Sequence, residues 1–268
     1  MHPHCVRPGS RVRLADFDPD DTGKHAHETA AKAKLASDIE RLAALQDRLY
    51  AEHRYAVLIV LQGMDTAGKD GTIKHVMSGV NPSGCEVAPF KVPTEEEAAH
   101  DFLWRVHRHA PRRGHITIFN RSHYEDVLAP RVHRTVPKHM LRQRYDHINA
   151  FERMLRENDT LVLKFFLHVS KGEQRRRLRE RLHDPLKQWK FSLSDVKERQ
   201  LWERYVDAYE KLLTRCGTDA APWHVIPSNA KWYRNLAVAE ILVDALEALH
   251  SKYPAPALSP TQLRRVRL

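Results

Sequence analysis

Five short aliphatic and β-branched runs punctuate the chain: YAVLIVLQ from Tyr55, EVAPFK from Glu86, HITIFN from His115, TLVLKFFLH from Thr160 and WHVIP from Trp223. Such short runs, apolar with little alternation, read as strands buried on both faces. Between them the apolar positions fall at helical spacing. Lys24 to His53 sets Leu35, Ile39, Leu42 and Leu49 on one face, and Lys138 to Glu157 aligns Leu141, Tyr145, Ile148, Phe151 and Leu155. A last helix is predicted from Tyr233 to Leu249. Strands alternating with helices predict an α/β fold in three layers, with a mainly parallel central sheet. Residues 1–23 lack periodicity and read as an N-terminal arm. Residues 24–251 read as a single domain, and 252–268, with Pro254, Pro256 and Pro260, as an extended tail.

The chain holds only 10 glycines, yet Gly63, Gly68 and Gly71 cluster directly after the first strand, in LQGMDTAGKDGTIKHVM. Gly63 to Gly68-Lys69 has the GxxxxGK spacing of a phosphate-cradling loop. Glycine lets successive backbone N–H groups turn inward, and the following helix adds its N-terminal dipole. Lys69 supplies a cation. The plain alternative is a glycine turn between strand and helix. Asp70 stands where Ser or Thr ordinarily binds magnesium, and Asp65 lies inside the loop. A carboxylate there repels phosphate unless a cation such as Mg2+ lies between them; the other reading is that Asp65 caps the following turn.

The third run ends in Asn120-Arg121-Ser122, followed by HYEDV, so polar groups gather at the sheet's carboxyl edge beside the loop. Glu125 and Asp126 are either site groups or acids favoured at a helix start.

Charge sharpens the picture. The net charge is +10, and residues 164–199 hold eleven basic and five acidic side chains, so a polyanionic partner is expected. Within that window KGEQRRRLRERLHDPLKQWKFS is either an ordinary solvated basic helix or a mobile basic lid over an anionic ligand, broken by Pro185. The longest unbroken aliphatic run, Ala56 to Leu61, is far short of the roughly 20 residues that span a bilayer. The N-terminal stretch has no apolar signal-peptide core, and three scattered cysteines make no disulfide framework or zinc knuckle. A cytoplasmic protein with no membrane partner is expected.

GMDTAGKDG, IFNRSHYEDV, EQRRRLRERLHDPLKQWKFS and PSNAKWYRN, taken in order, resemble polyphosphate kinase family 2 over about residues 30–250. The resemblance implies a phosphate-loop kinase fold with a helical lid and Mg2+-dependent phosphoryl transfer between inorganic polyphosphate and nucleotides. It places Asp65, Lys69, Arg121 and Arg177 in the catalytic machinery, with Asp65 as metal ligand. It implies phosphate or polyphosphate contacts from Gly63, Ala67, Gly68, Lys69, Asp70, Gly71, Lys74, Arg121, Arg176, Arg181, Lys187, Lys190 and Lys231. Asn120, Glu125, Asp126 and Arg131 are implied near the nucleotide. Asn120, where many members carry Asp, resembles the subgroup that accepts both AMP and ADP. A homo-oligomer, dimer or tetramer, is implied, with no specific nucleic-acid partner. Trp189 and Tyr124 are candidates to stack on a base, and no dedicated apolar slot for one is visible in the sequence. Two rival readings are an ATP-dependent nucleotide kinase and a non-catalytic polyanion- or nucleic-acid-binding protein.

Overall fold

The structure is a computed structural model that describes residues 4–25 and 27–266. Each aliphatic run forms a strand: β1 (Ala56–Gly63), β2 (Cys85–Pro89), β3 (Ile116–Asn120), β4 (Thr160–His168) and β5 (Trp223–Pro227). They build one five-stranded sheet in the order β2-β3-β1-β4-β5, and every pairing is parallel. Every residue of β1 is buried, as a central strand covered on both faces must be.

The helices are α1 (Glu28–Glu52), α2 (Lys69–Val76), α3 (Glu95–Ala99), α4 (Trp104–His107), α5 (Glu125–His133), α6 (Lys138–Glu157), α7 (Lys171–His183), α8 (Leu193–Gln200), α9 (Trp202–Arg215), α10 (Lys231–Glu247) and α11 (Pro260–Leu263). One group packs α1 and α2 on α10, and another packs α6 and α9 on α5. All five residues of the stripe expected in α6 are buried. The first stripe is only half as deep: Leu42 and Leu49 are buried, whereas Leu35 and Ile39 are half-exposed.

Two expectations change. The arm is not free, because its described residues pack on their own chain. Val6 N–H donates to Trp223 O at 2.8 Å and Val225 N–H to His4 O at 2.9 Å, so the segment runs antiparallel along β5 and covers that sheet edge. Val6, Val12 and Leu14 are buried in the common core. The tail is extended only to residue 259, after which α11 forms a single helical turn.

The core carries a buried ionic junction. Lys164 on β4 donates to Glu152 Oε2 at 2.6 Å, to Tyr124 Oη at 2.9 Å and to Cys216 O at 2.6 Å, while Tyr124 Oη donates to Glu152 Oε1 at 2.6 Å. His123 Nε2 lies 3.2 Å from the same carboxylate. Burial pushes Glu152 up, but Lys164 and His123 outweigh it and hold the carboxyl below its ordinary value of 4.5. Its stabilising contribution is therefore complete above about pH 4.5 and is lost as pH falls through the lower folded value. Lys164→Met strands the Glu152 charge and should cost about 3–5 kcal/mol in urea denaturation, whereas Lys164→Met with Glu152→Gln should recover most of it. A single variant as stable as the parent would contradict this role.

Candidate active site

The carboxyl ends of β1, β3 and β4 meet where successive connections leave the sheet on opposite sides, the position at which open α/β sheets form a crevice. Pairing of Leu61 with Asn120 sets the polar end of β3 beside the loop that follows β1. That loop turns into α2 at Gly68, whose φ of 109° is a left-handed conformation that side chains disfavour. At Gly63 a Cβ would approach Leu167 O to 2.7 Å, so close passage of β4 demands glycine there too.

Lys69 folds back over this loop and is buried, donating to Gly63 O at 2.8 Å and to Met64 O at 3.4 Å. Burial first, then repulsion from Arg121, pulls its ammonium down to about 8. Arg121 donates to Asp65 Oδ1 at 2.9 Å and lies 3.7 Å from Glu125 Oε2. Burial pushes the Glu125 carboxyl up against the pull of Arg121 and Lys69. Asn120 Nδ2 donates to Asp70 Oδ1 at 2.8 Å, tying the end of β3 to the start of α2. Gly68, the residue that precedes α2, has no side chain to cap it, and the Asp65 carboxylate accepts from Arg121. Arg121 itself holds φ 63°, a strained backbone for a residue with a side chain, and such strain costs about 1–3 kcal/mol. The Ser122-His123-Tyr124 segment beneath it is fixed by the Glu152–Lys164 junction.

The site thus brings together a loop after a parallel strand, a lysine, and a carboxylate–guanidinium pair at its mouth. The family model for polyphosphate kinase 2 matches residues 25–254. The chain belongs to the polyphosphate kinase 2 family. It is 54% identical over 257 residues to an AMP/ADP-polyphosphate phosphotransferase of Meiothermus ruber, covering 96% of each chain. An ADP-polyphosphate phosphotransferase of Rhodopseudomonas palustris is 45% identical over 246 residues, 87% of this chain and 83% of that one. The crystal structure of polyphosphate kinase 2 from Arthrobacter aurescens superposes with a TM-score of 0.93 at 40% identity, covering 98% of both chains.

Among the residues expected at the site, the structure gathers Gly63, Asp65, Ala67, Gly68, Lys69, Asp70, Gly71, Asn120, Arg121 and Glu125 at one sheet edge. Lys74, one turn into α2, is exposed. The basic segment splits into α7, a turn and α8. Arg176 holds Glu173 with two bonds of 2.7 Å, Lys187 binds Glu180 and Asp184, and Lys231 lies 4.0 Å from Glu180. Arg181 lies 3.6 Å from Asp195, and Lys190 Nζ lies 4.8 Å from the centre of the exposed Trp189 ring.

Four of the expected side chains are turned to protein partners instead. Arg177 is not a basic side chain reaching out from the segment. It is 5% exposed, and its guanidinium is spent on Glu173 and on the carbonyls of Thr66, Ala67, Ser228 and Asn229. Helical geometry turns it inward while its neighbours Arg175 and Arg176 face out. Asp126 is committed to Arg105 at 2.9 Å, and Arg131 to Asp207 on α9 at 2.7 Å, so both serve packing between elements. Tyr124 is a core residue, fully buried.

Several residues around the site were not singled out in the sequence. Trp202, Tyr205 and Tyr209 of α9 line the cavity that also holds Asp65, Arg121 and Glu125. Their helical spacing looks like an ordinary core stripe. Gln174 donates to Asp65 O at 3.2 Å and so braces the loop from α7.

The Lys69 value has a consequence for ligand binding. The ammonium is charged below about pH 8 and loses its charge above it, so affinity for tripolyphosphate should be flat below pH 8 and weaken above it. The limit is about tenfold per pH unit, measured as the calorimetric difference between wild type and Lys69→Met. A difference constant from pH 7 to 10 would contradict it.

Proposed function

We propose that this chain transfers phosphoryl groups reversibly between inorganic polyphosphate and adenine nucleotides, converting AMP to ADP and ADP to ATP with Mg2+. The observation that carries the proposal is the Asp65–Arg121 pair of 2.9 Å at the mouth of the loop that Lys69 occupies. An anionic phosphate chain competes for both cations. Lys69 exchanges a carbonyl for a phosphate oxygen and Arg121 exchanges Asp65 for the transferring group, which would leave the Asp65 carboxylate available to hold a metal ion. Phosphoryl transfer rests on such positioning and charge neutralisation more than on covalent work by the protein. The acceptor's terminal phosphate is already ionised, so no strong general base is required of Glu125 or Asp65.

The donor set suits magnesium. Carboxylate and amide groups of Asp65, Asp70 and Asn120 stand at the loop. Among the described residues no group of three acidic, histidine or cysteine side chains forms a cage. Mg2+ is ordinarily held by one or two carboxylates plus phosphate oxygens and water, which this arrangement matches, with Asp65 as the principal ligand. When bound, the ion neutralises charge on the phosphate oxygens. Trp202 and Tyr205 supply an aromatic surface for the nucleotide base, and Lys187, Lys190, Arg176, Arg181 and Lys231 a basic surface for the rest of the polyphosphate chain. That chain has no base to recognise, so repeated charge contacts suffice. Asn120 in place of a carboxylate repels a second nucleotide phosphate less, which favours acceptance of both AMP and ADP. Among the described residues no helix is long and apolar enough to cross a membrane. A cytoplasmic homo-oligomer, dimer or tetramer, completes the proposal, with sedimentation as its check.

The direct test supplies purified protein with polyphosphate, Mg2+ and AMP, without ATP, and resolves the nucleotides by chromatography. ADP should appear first and ATP after it. AMP untouched while ADP is consumed would restrict the acceptor to ADP. No reaction with polyphosphate, together with phosphorylation of AMP by ATP, would favour an ATP-dependent nucleotide kinase.

A second test concerns the metal. Asp65→Asn should keep the fold by circular dichroism yet lower turnover roughly a hundredfold or more, since even residues behind a metal ligand are typically worth about 10–100-fold. Near-normal turnover with unchanged magnesium dependence would remove Asp65 from this role.

A further inference from the structure

Arg234, in the first turn of α10, is 2% exposed and lies directly against the phosphate loop. Its Nη1 donates to Ala67 O at 3.2 Å, and its Nε and Nη2 donate to Asn235 Oδ1 at 3.2 and 2.8 Å. A Cβ on Gly68 would fall 1.8 Å from Nη1, and one on Gly71 would lie 3.2 Å from Nη2. The guanidinium therefore fills the notch that these two glycines leave behind the loop.

Its charge has no counterpart. Among the described residues no carboxylate forms an ion pair with Arg234. The neighbouring Arg177, which shares the Ala67 carbonyl, leans on Glu173, and Glu173 also holds Arg176. The loop carboxylates are committed elsewhere, Asp65 to Arg121 and Asp70 to Asn120, and the nearest charge acting on Arg234 is the like charge of Arg177. Lys69 lies in the loop, and the N-termini of α2 and α10 both direct positive dipole ends into this region. A buried cation among cations is costly to the protein alone, because nothing replaces its lost hydration except neutral oxygens. What would balance it is an anion on the other side of the loop.

We propose that Arg234 is a positioning residue whose buried charge, set behind the phosphate loop, is balanced only when a phosphate chain occupies that loop. It acts through the loop and makes no contact with the substrate. Held against Ala67 O and wedged behind Gly68, it orients the loop's N–H groups, and its field favours phosphate over water in the cradle. Burial first, and then Arg177, pull its guanidinium down to about 10, in keeping with a cation that lacks an internal partner. A hydrogen-bonding brace for Ala67 O would need no charge, and this distinguishes the two roles.

The inference rests on the polyphosphate reading, so wild type comes first: if it fails to bind tripolyphosphate with Mg2+ in calorimetry, that reading falls and this one with it. With wild-type binding established, Arg234→Lys and Arg234→Gln are compared. Gln keeps a hydrogen-bond donor and loses the charge, whereas Lys keeps the charge. Arg234→Gln should bind tripolyphosphate about tenfold or more weakly and lose turnover, because a charge-assisted arrangement is removed. Its ligand-free melting temperature should equal or exceed that of wild type, while the rise in melting temperature on adding tripolyphosphate should shrink. Arg234→Lys should retain most of that rise. Wild-type binding and turnover in Arg234→Gln would overturn the proposal. So would equal losses in Lys and Gln, or a Gln variant whose ligand-free stability falls while its tripolyphosphate-induced rise stays intact.

Discussion

Two buried guanidinia, Arg177 from α7 and Arg234 from α10, donate to the single carbonyl of Ala67. That oxygen belongs to the loop between β1 and α2, so one junction ties together the central strand, the basic helix and the C-terminal helix. Arg177 extends the tie through Ser228 and Asn229, just after β5. The loop must place successive N–H groups on one side while its carbonyls point to the other. Cations behind those carbonyls hold that orientation and require glycine where they press closest.

The same arrangement explains the electrostatics around the loop. Lys69 rests on carbonyls of its own loop, Arg121 on Asp65, and the exposed bases of α7 and the following turn crowd around Glu173 and Glu180. Each of these cations has a partner within the chain, which under the proposed function a phosphate chain would displace. The exposed pairs among them, those of Arg176 and Lys187, are worth about 0–1 kcal/mol, so their exchange costs little. The buried cations behind the loop have fewer alternatives and set the sign of the site. Beneath Arg121, the Glu152–Lys164 junction is fully satisfied within the protein and serves a different end, fixing the backbone that carries Arg121 in its strained conformation.

The sheet was legible because its strands are short aliphatic runs bounded by polar segments, a pattern with one economical solution. The stripe of α6 was equally clear. The N-terminal segment was not, since Val6, Val12 and Leu14 share no period and their burial depends on an edge that exists only after β5 is in place. Motif spacing located the loop and Asp65, because a phosphate cradle needs those residues close together in sequence, and Arg121 stood out at the polar end of the third strand run. It could not say which arginine of the RRR run faces inward, as α7 rotates about 100° per residue and only the packed loop selects Arg177. Arg234 and the aromatic face of α9 stayed hidden for a related reason. Their roles come from contacts across distant parts of the chain, and locally they look like ordinary helix residues.

The most direct measurement of this account is a crystal structure of the wild-type enzyme with tripolyphosphate and Mg2+. It should place phosphate oxygens against the loop N–H groups, with Lys69 Nζ released from Gly63 O, Arg121 released from Asp65, and Arg177 and Arg234 still on Ala67 O. Phosphate bound away from the loop, with the Lys69–Gly63 and Arg121–Asp65 contacts intact, would contradict it.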